Sequence, residues 1–156
     1  MKIQKSITAL MLIVVTTTVG IGTLVRPQPK PITASHEDVT CLAKNIYHEA
    51  RGESFFGQLA VAQVTVNRLL TGKFGRTICD VVYAKHQFSW TSRKQKQSPT
   101  DKEAWAGAMK IARSIVHNTN SMPELKATHY HANHVKPKWA KHKEKVAVIG
   151  KHIFYI

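Results

Sequence analysis

The densest group of chemically active side chains lies in residues 45–53, which read NIYHEARGE. This segment holds two of the chain's nine acidic residues, Glu49 and Glu53, at the point where a helix of apolar period is predicted to end. A carboxyl that is partly withdrawn from water has a raised pKa, so it can stay protonated and deliver a proton to a leaving oxygen. Glu49 has the position for that chemistry.

A second carboxyl four residues further along leaves two interpretations open. The carboxyl of Glu53 would approach that of Glu49 only if the helix continued, and Gly52 disfavours that continuation. The alternative is a surface ion pair between Arg51 and Glu53, with Glu49 simply hydrated.

A second set of candidates combines aromatic rings with amides, histidines and positive charge. Such surfaces stack on sugars or on bases, although the same rings are also common at the edge of a core. His129 and His131 alternate along a predicted strand and would share one face. The chain has no HExxH or paired-cysteine motif, so we expect neither a metal nor a cofactor. The aromatic and amide candidates for substrate contact are Gln87, Phe88, Tyr130 and Trp139.

Helices followed by a terminal hairpin are predicted to position these residues. The first helix begins after Ser35 as N-cap, with acids in its first turn, and runs to about Ala50. A turn at Gly150 separates the last two strands. The other predicted elements are helices over 56–70, 77–83 and 98–117, the last with Ser98 as N-cap and Pro99 at the first helical position, a loop over 84–97, and strands over 126–131, 145–149 and 152–156.

The amino-terminal residues are predicted to direct the chain to a membrane. Residues 7–25 carry no charge, lie between basic residues, and approach the ~20 residues that a spanning helix needs. Small residues at 20–22 also suit signal-peptide cleavage, so an anchor and a removed signal remain open for residues 1–25. A proline-rich linker over 26–35 follows. We expect an exported domain that faces the periplasm, either anchored in the inner membrane or released.

Charge and cysteine usage refine this picture. The net charge of +14 favours a polyanionic partner, such as nucleic acid, anionic lipid or the bacterial wall, and export argues against nucleic acid. Cys41 and Cys79 are the only cysteines. In an oxidising compartment they could pair, which would add roughly 4 kcal/mol of stability in the chain-entropy model, or they could remain two buried thiols.

Several blocks of this sequence resemble the SleB-like cell-wall hydrolases, the spore cortex-lytic type. The opening block is YHEARGE at 47–53, followed by GQLAVA at 57–62 and VNR at 66–68. Later blocks follow in the same order, and the resemblance covers about residues 38–156. These later blocks are ICDVVY at 78–83, QFSW at 87–90, HYHA at 129–132, PKW at 137–139 and IGKHIFY at 149–155.

The resemblance implies a lysozyme-like α+β domain over 36–156 that acts on the glycan strands of peptidoglycan. In that family the glutamate of the first block is the catalytic acid, which corresponds here to Glu49. The usual outcome is lytic transglycosylation, whereas attack by water would call for a second carboxylate, for which Glu53 is the candidate. Block positions that would line the glycan groove are Asn67, Gln87, Tyr130 and His131.

The chain also departs from the spore-germination members. It is short and strongly basic, and it shows no wall-binding repeats. A compact, basic, anchored muramidase is similar to phage endolysins of the signal-anchor-release type, while wall remodelling by a host enzyme is the alternative biology. A non-catalytic basic wall-binding module is a further alternative. We expect a monomer.

Overall fold

The computed structural model describes residues 35–92, 98–117 and 124–156. The predicted targeting segment, 1–25, and all but the last residue of the predicted linker, 26–35, lie outside the described residues. Within the described ranges, no helix has the length and apolar character required to cross a membrane. The elements are α1 (His36–Ala50), α2 (Phe55–Thr71), α3 (Ile78–Tyr83), a 3-10 turn (Ser89–Ser92), α4 (Lys102–His117), β1 (His129–Ala132), a second 3-10 turn (Lys138–His142), β2 (Lys145–Ile149) and β3 (His152–Tyr155).

Helix α1 is fastened at its amino-terminal end. The Ser35 side chain accepts the N–H of Asp38, and the Asp38 carboxylate accepts the N–H of Ser35, so the two residues form a capping box. The second carboxylate oxygen of Asp38 accepts the N–H of Cys79 at 3.1 Å. Cys41 and Cys79 form a disulfide with their Cα atoms 5.2 Å apart, so the pairing that the sequence left open is made.

Helix α2 is the central element, as its apolar pattern predicts. It packs against α1, α3, α4 and the sheet. It ends at Gly72, whose φ of +67° is left-handed and whose N–H is donated to the carbonyl of Leu69. Asn45 is fully buried between α1 and α2 and has partners at both ends of its amide. It donates to Thr65 Oγ1 at 3.0 Å and accepts from Trp90 Nε1 at 3.3 Å.

The three strands form one antiparallel sheet in the order β1-β3-β2. The turn between β2 and β3 places Gly150 at φ +57°, as the predicted hairpin requires. The central strand β3 is largely buried, and Phe154 packs with Val61 and Val64 of α2. The α+β class, mainly helical with a small carboxyl-terminal antiparallel sheet, is confirmed.

Several boundaries differ from the predictions by one residue, and three features differ by more. Helix α4 begins at Lys102 and not beside Ser98, because Asp101 provides the cap by accepting the N–H of Ala104 at 3.0 Å. Strand β1 begins at His129. The carbonyls of Ala127 and Thr128 accept hydrogen bonds from α2 side chains, although the N–H of Thr128 still reaches the carbonyl of Tyr155 on β3. The predicted loop contains the 3-10 turn Ser89–Ser92, which positions the buried ring of Trp90.

Candidate active site

The last turn of α1 brings Glu49 against the edge of the sheet. Glu49 is partly buried, and its Oε2 accepts a hydrogen bond of 2.9 Å from the hydroxyl of Tyr130 on β1. Burial raises the pKa of Glu49, against the opposing effects of the Tyr130 hydrogen bond and the positive charge of Arg68. The carboxyl therefore holds its proton more tightly than a hydrated glutamate does, which suits a general acid.

Tyr130 is the donor in this contact. Burial raises the pKa of its hydroxyl well above the ordinary value, and the neighbouring charge of Glu49 raises it further. The phenol therefore remains protonated and donates to the carboxyl. Its ring lies 5.2 Å from that of His152, edge to face, and 5.7 Å from that of Phe154. These contacts fix the direction of the hydroxyl.

Arg68 is a buried arginine whose charge acts on both Tyr130 and Glu49. Arg68 on α2 is 6% exposed and donates from Nε to the carbonyl of Thr128 at 2.7 Å. Its guanidinium carbon lies 5.4 Å from the ring centre of Phe74 and 5.3 Å from that of Phe88. Its Nη1 atom is buried without a hydrogen-bond partner among the described residues. We did not predict a role for Arg68, although it closes the VNR block.

Glu53 has a different environment from Glu49. Helix α1 stops at Ala50, and the chain turns so that the N–H of Glu53 reaches the carbonyl of Ala50 at 2.9 Å. The carboxylate accepts the N–H of Lys151 at 3.0 Å, in the turn of the hairpin. A Cβ at Gly150 would overlap Glu53 Oε2, so glycine is required for this approach.

The surface pair between Arg51 and Glu53 is therefore not the arrangement seen. Among the described residues, the guanidinium of Arg51 lies over the ring of Tyr47, 4.9 Å from its centre, while Glu53 is held by the hairpin. Glu53 ties the α1–α2 turn to the sheet.

Strand alternation divides the predicted groove residues between two faces of the sheet. Tyr130 shares a face with His152 and Phe154, the face that meets Glu49. His131 points to the opposite face, where its Nε2 is 2.9 Å from the Tyr155 hydroxyl. Trp139 covers this second face, with ring contacts to His129, His131 and Tyr155. Contact of His131 and Trp139 with glycan stays a prediction.

The remaining candidates occupy three distinct environments. The amide nitrogen of Asn67 donates to the carbonyls of Leu125 and Ala127 at 2.6 and 2.8 Å, so it holds the chain that leads into β1. Gln87 is partly buried, and its contact with substrate stays a prediction. Phe88 is 3% exposed and its ring belongs to the core, which favours a structural role, and its contact with sugar stays a prediction.

Two further features near the site were not predicted. His48, next to Glu49 in sequence, stacks its ring on Trp90 with 4.4 Å between ring centres. His152 is buried, and its pKa is lowered, chiefly by burial. In the described part of the chain, no group of three or more histidine, cysteine or acidic residues is arranged to hold a metal ion.

Comparison with known proteins identifies the family. A profile of the cell wall hydrolases matches residues 52–155. The chain belongs to the cell wall hydrolase family. It is similar to the spore cortex-lytic enzyme of Bacillus cereus, with 26% identity over 120 residues, which span 77% of this chain and 44% of that enzyme. Against the Halalkalibacterium halodurans enzyme the identity is 30% over 126 residues, spanning 80% and 36%. The chain thus covers less than half the length of these relatives.

Solved structures of this cell wall hydrolase family match the fold. The catalytic domain of the germination-specific lytic transglycosylase SleB from Bacillus anthracis superimposes with a TM-score of 0.67 at 28% identity, covering 81% of this chain and 99% of that one. The catalytic domain of Bacillus cereus SleB gives 0.64 at 27% identity, covering 81% and 94%. The SleB-like resemblance is confirmed, and almost the whole of each solved catalytic domain has its counterpart here.

Proposed function

We propose that this protein is a peptidoglycan-degrading glycosidase that cuts the MurNAc-GlcNAc strand as a lytic transglycosylase. One observation carries the proposal: Glu49 is partly buried, has a raised pKa, and is held by the hydroxyl of Tyr130. Family membership supports the substrate class, and the name of the Bacillus anthracis relative supports the reaction type.

The reaction needs one carboxyl. Glu49 gives its proton to the glycosidic oxygen as the bond from that oxygen to C1 of MurNAc breaks. The resulting carboxylate then accepts the proton of the sugar's own 6-hydroxyl, whose oxygen forms the new bond to C1. The products are a strand with a 1,6-anhydro end and a strand with a free hydroxyl. Glu49 ends the cycle protonated, and no water is consumed.

Hydrolysis of the same bond is the second candidate. It requires a water and a carboxylate to activate or oppose it, and Glu53 is the nearest acid in the sequence. The carboxylate of Glu53 already accepts the N–H of Lys151 in the hairpin turn, an arrangement that favours a holding role. Transglycosylation is therefore the better supported reaction.

The proposed setting is outside the cytoplasm, with the domain anchored at the inner membrane or released into the periplasm. The uncharged stretch at 7–25 and the Cys41–Cys79 disulfide support this setting, because disulfides persist in oxidising compartments. Phage lysis and wall remodelling are both compatible with it. Export can be tested by fusing a reporter enzyme to the carboxyl terminus of this protein. The reporter must be one that is active only in the periplasm.

Mass spectrometry of the soluble products from purified peptidoglycan tests the reaction. Anhydro-muropeptides released by the unaltered protein and lost in Glu49→Gln would support a lytic transglycosylase. Reducing ends that depend on Glu49 would support the hydrolase. Salt-sensitive binding to peptidoglycan without any glycan product would support the non-catalytic wall-binding module and overturn the proposal.

A further inference from the structure

Arg68 has a buried positive charge that the proposed reaction does not yet use. It is 6% exposed, and burial lowers its pKa, yet a guanidinium remains charged in proteins. A buried charge is costly unless other groups compensate for it. An apolar side chain of similar volume would avoid this cost, so the groups on which the charge acts are of interest.

The contacts of Arg68 show how the charge is held in place. Nε is hydrogen-bonded to the carbonyl of Thr128, two residues before Tyr130 on the same segment. The rings of Phe74 and Phe88 lie against the guanidinium group. The side chain is therefore fixed, while Nη1 keeps an N–H that has no partner among the described residues. A fixed cation in a dry environment acts more strongly on nearby charges than one at the surface does.

The groups that feel this charge belong to the site. The charge of Arg68 on α2 acts first on Tyr130 and then on Glu49, and Tyr130 acts on Glu49 from β1 through its hydroxyl. His152 on β3 contacts the Tyr130 ring, and burial lowers the pKa of its imidazole. Burial, together with Lys143 and Arg68, lowers the pKa of His129 to about 4, so this imidazole is neutral at neutral pH. Arg68 is thus the cation that acts on Glu49 within the described residues.

We propose that Arg68 is a positioning residue whose buried positive charge stabilises the carboxylate that Glu49 becomes once its proton has been given away. This inference rests on the proposed function of Glu49. Burial alone would make that carboxylate so unfavourable that the acid would be reluctant to release its proton. The positive charge of Arg68 offsets part of this penalty.

Removing the positive charge of Arg68 should change the pKa of Glu49 in one direction. Without Arg68 the carboxylate of Glu49 is less stable, so its pKa rises and the residue stays protonated to higher pH. The alkaline limb of the pH–rate profile reports loss of the proton of Glu49, and it therefore moves to higher pH. The plateau rate falls, because a weaker acid protonates the leaving oxygen less readily.

The test compares a neutral and a charged replacement in the full chain. Arg68→Met removes the charge but keeps an unbranched side chain that suits the space between two rings. Arg68→Lys keeps the charge but lacks the Nε donor to Thr128. The exposed Arg113 of α4 provides the matched control, Arg113→Met, with the same change in net charge. The readouts are an NMR titration of the Glu49 side-chain carboxyl and the pH profile of muropeptide release.

We expect Arg68→Met to move both the titration and the alkaline limb upward by about one pH unit and to lower the plateau roughly tenfold. Arg68→Lys should titrate close to the unaltered protein, as should Arg113→Met. A titration that is unchanged in Arg68→Met, or Lys and Met variants that shift equally, would overturn the proposal. If Arg68→Met does not fold, a shift in the folded Lys variant as large as one pH unit would overturn it and an unshifted titration would support it.

The NMR titration needs no substrate. A protein that releases no glycan product would refute the proposed function, while the titration would still report whether Arg68 controls Glu49. Failure of the one proposal is therefore distinguishable from failure of the other.

Discussion

The two ends of helix α1 are built on opposite principles. At the amino-terminal end, Ser35 and Asp38 cap each other, Asp38 also accepts the N–H of Cys79, and the disulfide joins the helix to α3. At the carboxyl-terminal end, Glu49 is partly buried in the last turn. The negative end of the helix dipole further disfavours its ionised form there. One end stabilises the helix, and the other carries a group that is costly to bury.

This contrast separates stability from chemistry along fifteen residues of one element. Substitutions at the amino-terminal end should cost stability and leave the reaction intact. Substitutions around Glu49 should cost the reaction and leave or improve stability. Substitutions at the two ends of α1 and around Glu49 test that division.

The largest effect is expected for Glu49→Gln. Loss of a general acid lowers the rate by about 10²–10⁴-fold, so release of muropeptides should fall by at least two orders of magnitude. Glu53→Gln is the matched control, four residues away, and should keep activity within roughly tenfold because its carboxylate holds the hairpin. Comparable losses in the two variants would contradict the assignment of separate roles.

Removing the disulfide should act on stability alone. The double substitution Cys41→Ser with Cys79→Ser opens a loop of 38 residues, which should lower the free energy of unfolding by about 4 kcal/mol. Denaturant unfolding measures this loss. Well below the melting temperature, the rate on peptidoglycan and its pH profile should be unchanged. A shifted pH profile would show that the two ends of α1 are coupled.

Tyr130→Phe should alter the acid without removing it. The hydroxyl favours the carboxylate of Glu49, so its loss should raise the pKa of Glu49, move the alkaline limb to higher pH, and slow the reaction roughly tenfold. Tyr47→Phe is the control, since the Tyr47 hydroxyl accepts backbone N–H groups of Thr100 and Asp101. It should lower stability and leave the limb in place. An unmoved limb in Tyr130→Phe would refute the role of the hydroxyl.

The smallest effect is a gain in stability from Glu49→Gln. The pKa of Glu49 is raised above its ordinary value of 4.5, so the folded state loses stability as pH rises through the folded pKa. A neutral amide avoids that cost. At neutral pH the variant should be more stable by about 1 kcal/mol, or roughly 3 °C in melting temperature. The difference should shrink below pH 4.5. Thermal melts across pH measure it, and a less stable variant at neutral pH would contradict a desolvated Glu49.

Much of this fold can be predicted from interactions between residues that are close in sequence. Ser35 as N-cap and Gly150 in the hairpin turn are each dictated by short-range geometry, and the structure places both as predicted. Ser98 and Asp101 are both suitable N-caps, so the sequence predicts the start of α4 at Ser98, whereas the structure uses Asp101. In the structure, the Tyr47 hydroxyl accepts the N–H groups of Thr100 and Asp101. This contact between distant residues lies beside the cap that is used, and the sequence does not show it.

The geometry of the candidate active site is harder to predict from the sequence, because it depends on contacts between residues that are distant in the chain. Nothing local in the sequence indicates that Tyr130 reaches Glu49, that Arg68 is buried, or that Phe88 belongs to the core. The alternation of β1 separates Tyr130 from His131, although the motif blocks predict one groove for both. Motif blocks mark which residues are used, whereas the fold decides which of them meet.

Digestion of peptidoglycan in heavy-oxygen water distinguishes attack by the sugar's own 6-hydroxyl from attack by water. If Glu49 acts as acid and then base toward the sugar's own 6-hydroxyl, the released glycan ends will be anhydro forms, one water lighter than reducing ends. They will carry no heavy oxygen, and Glu49→Gln will release none. Heavy oxygen at C1 of the released strands would show that water is the nucleophile and would contradict transglycosylation.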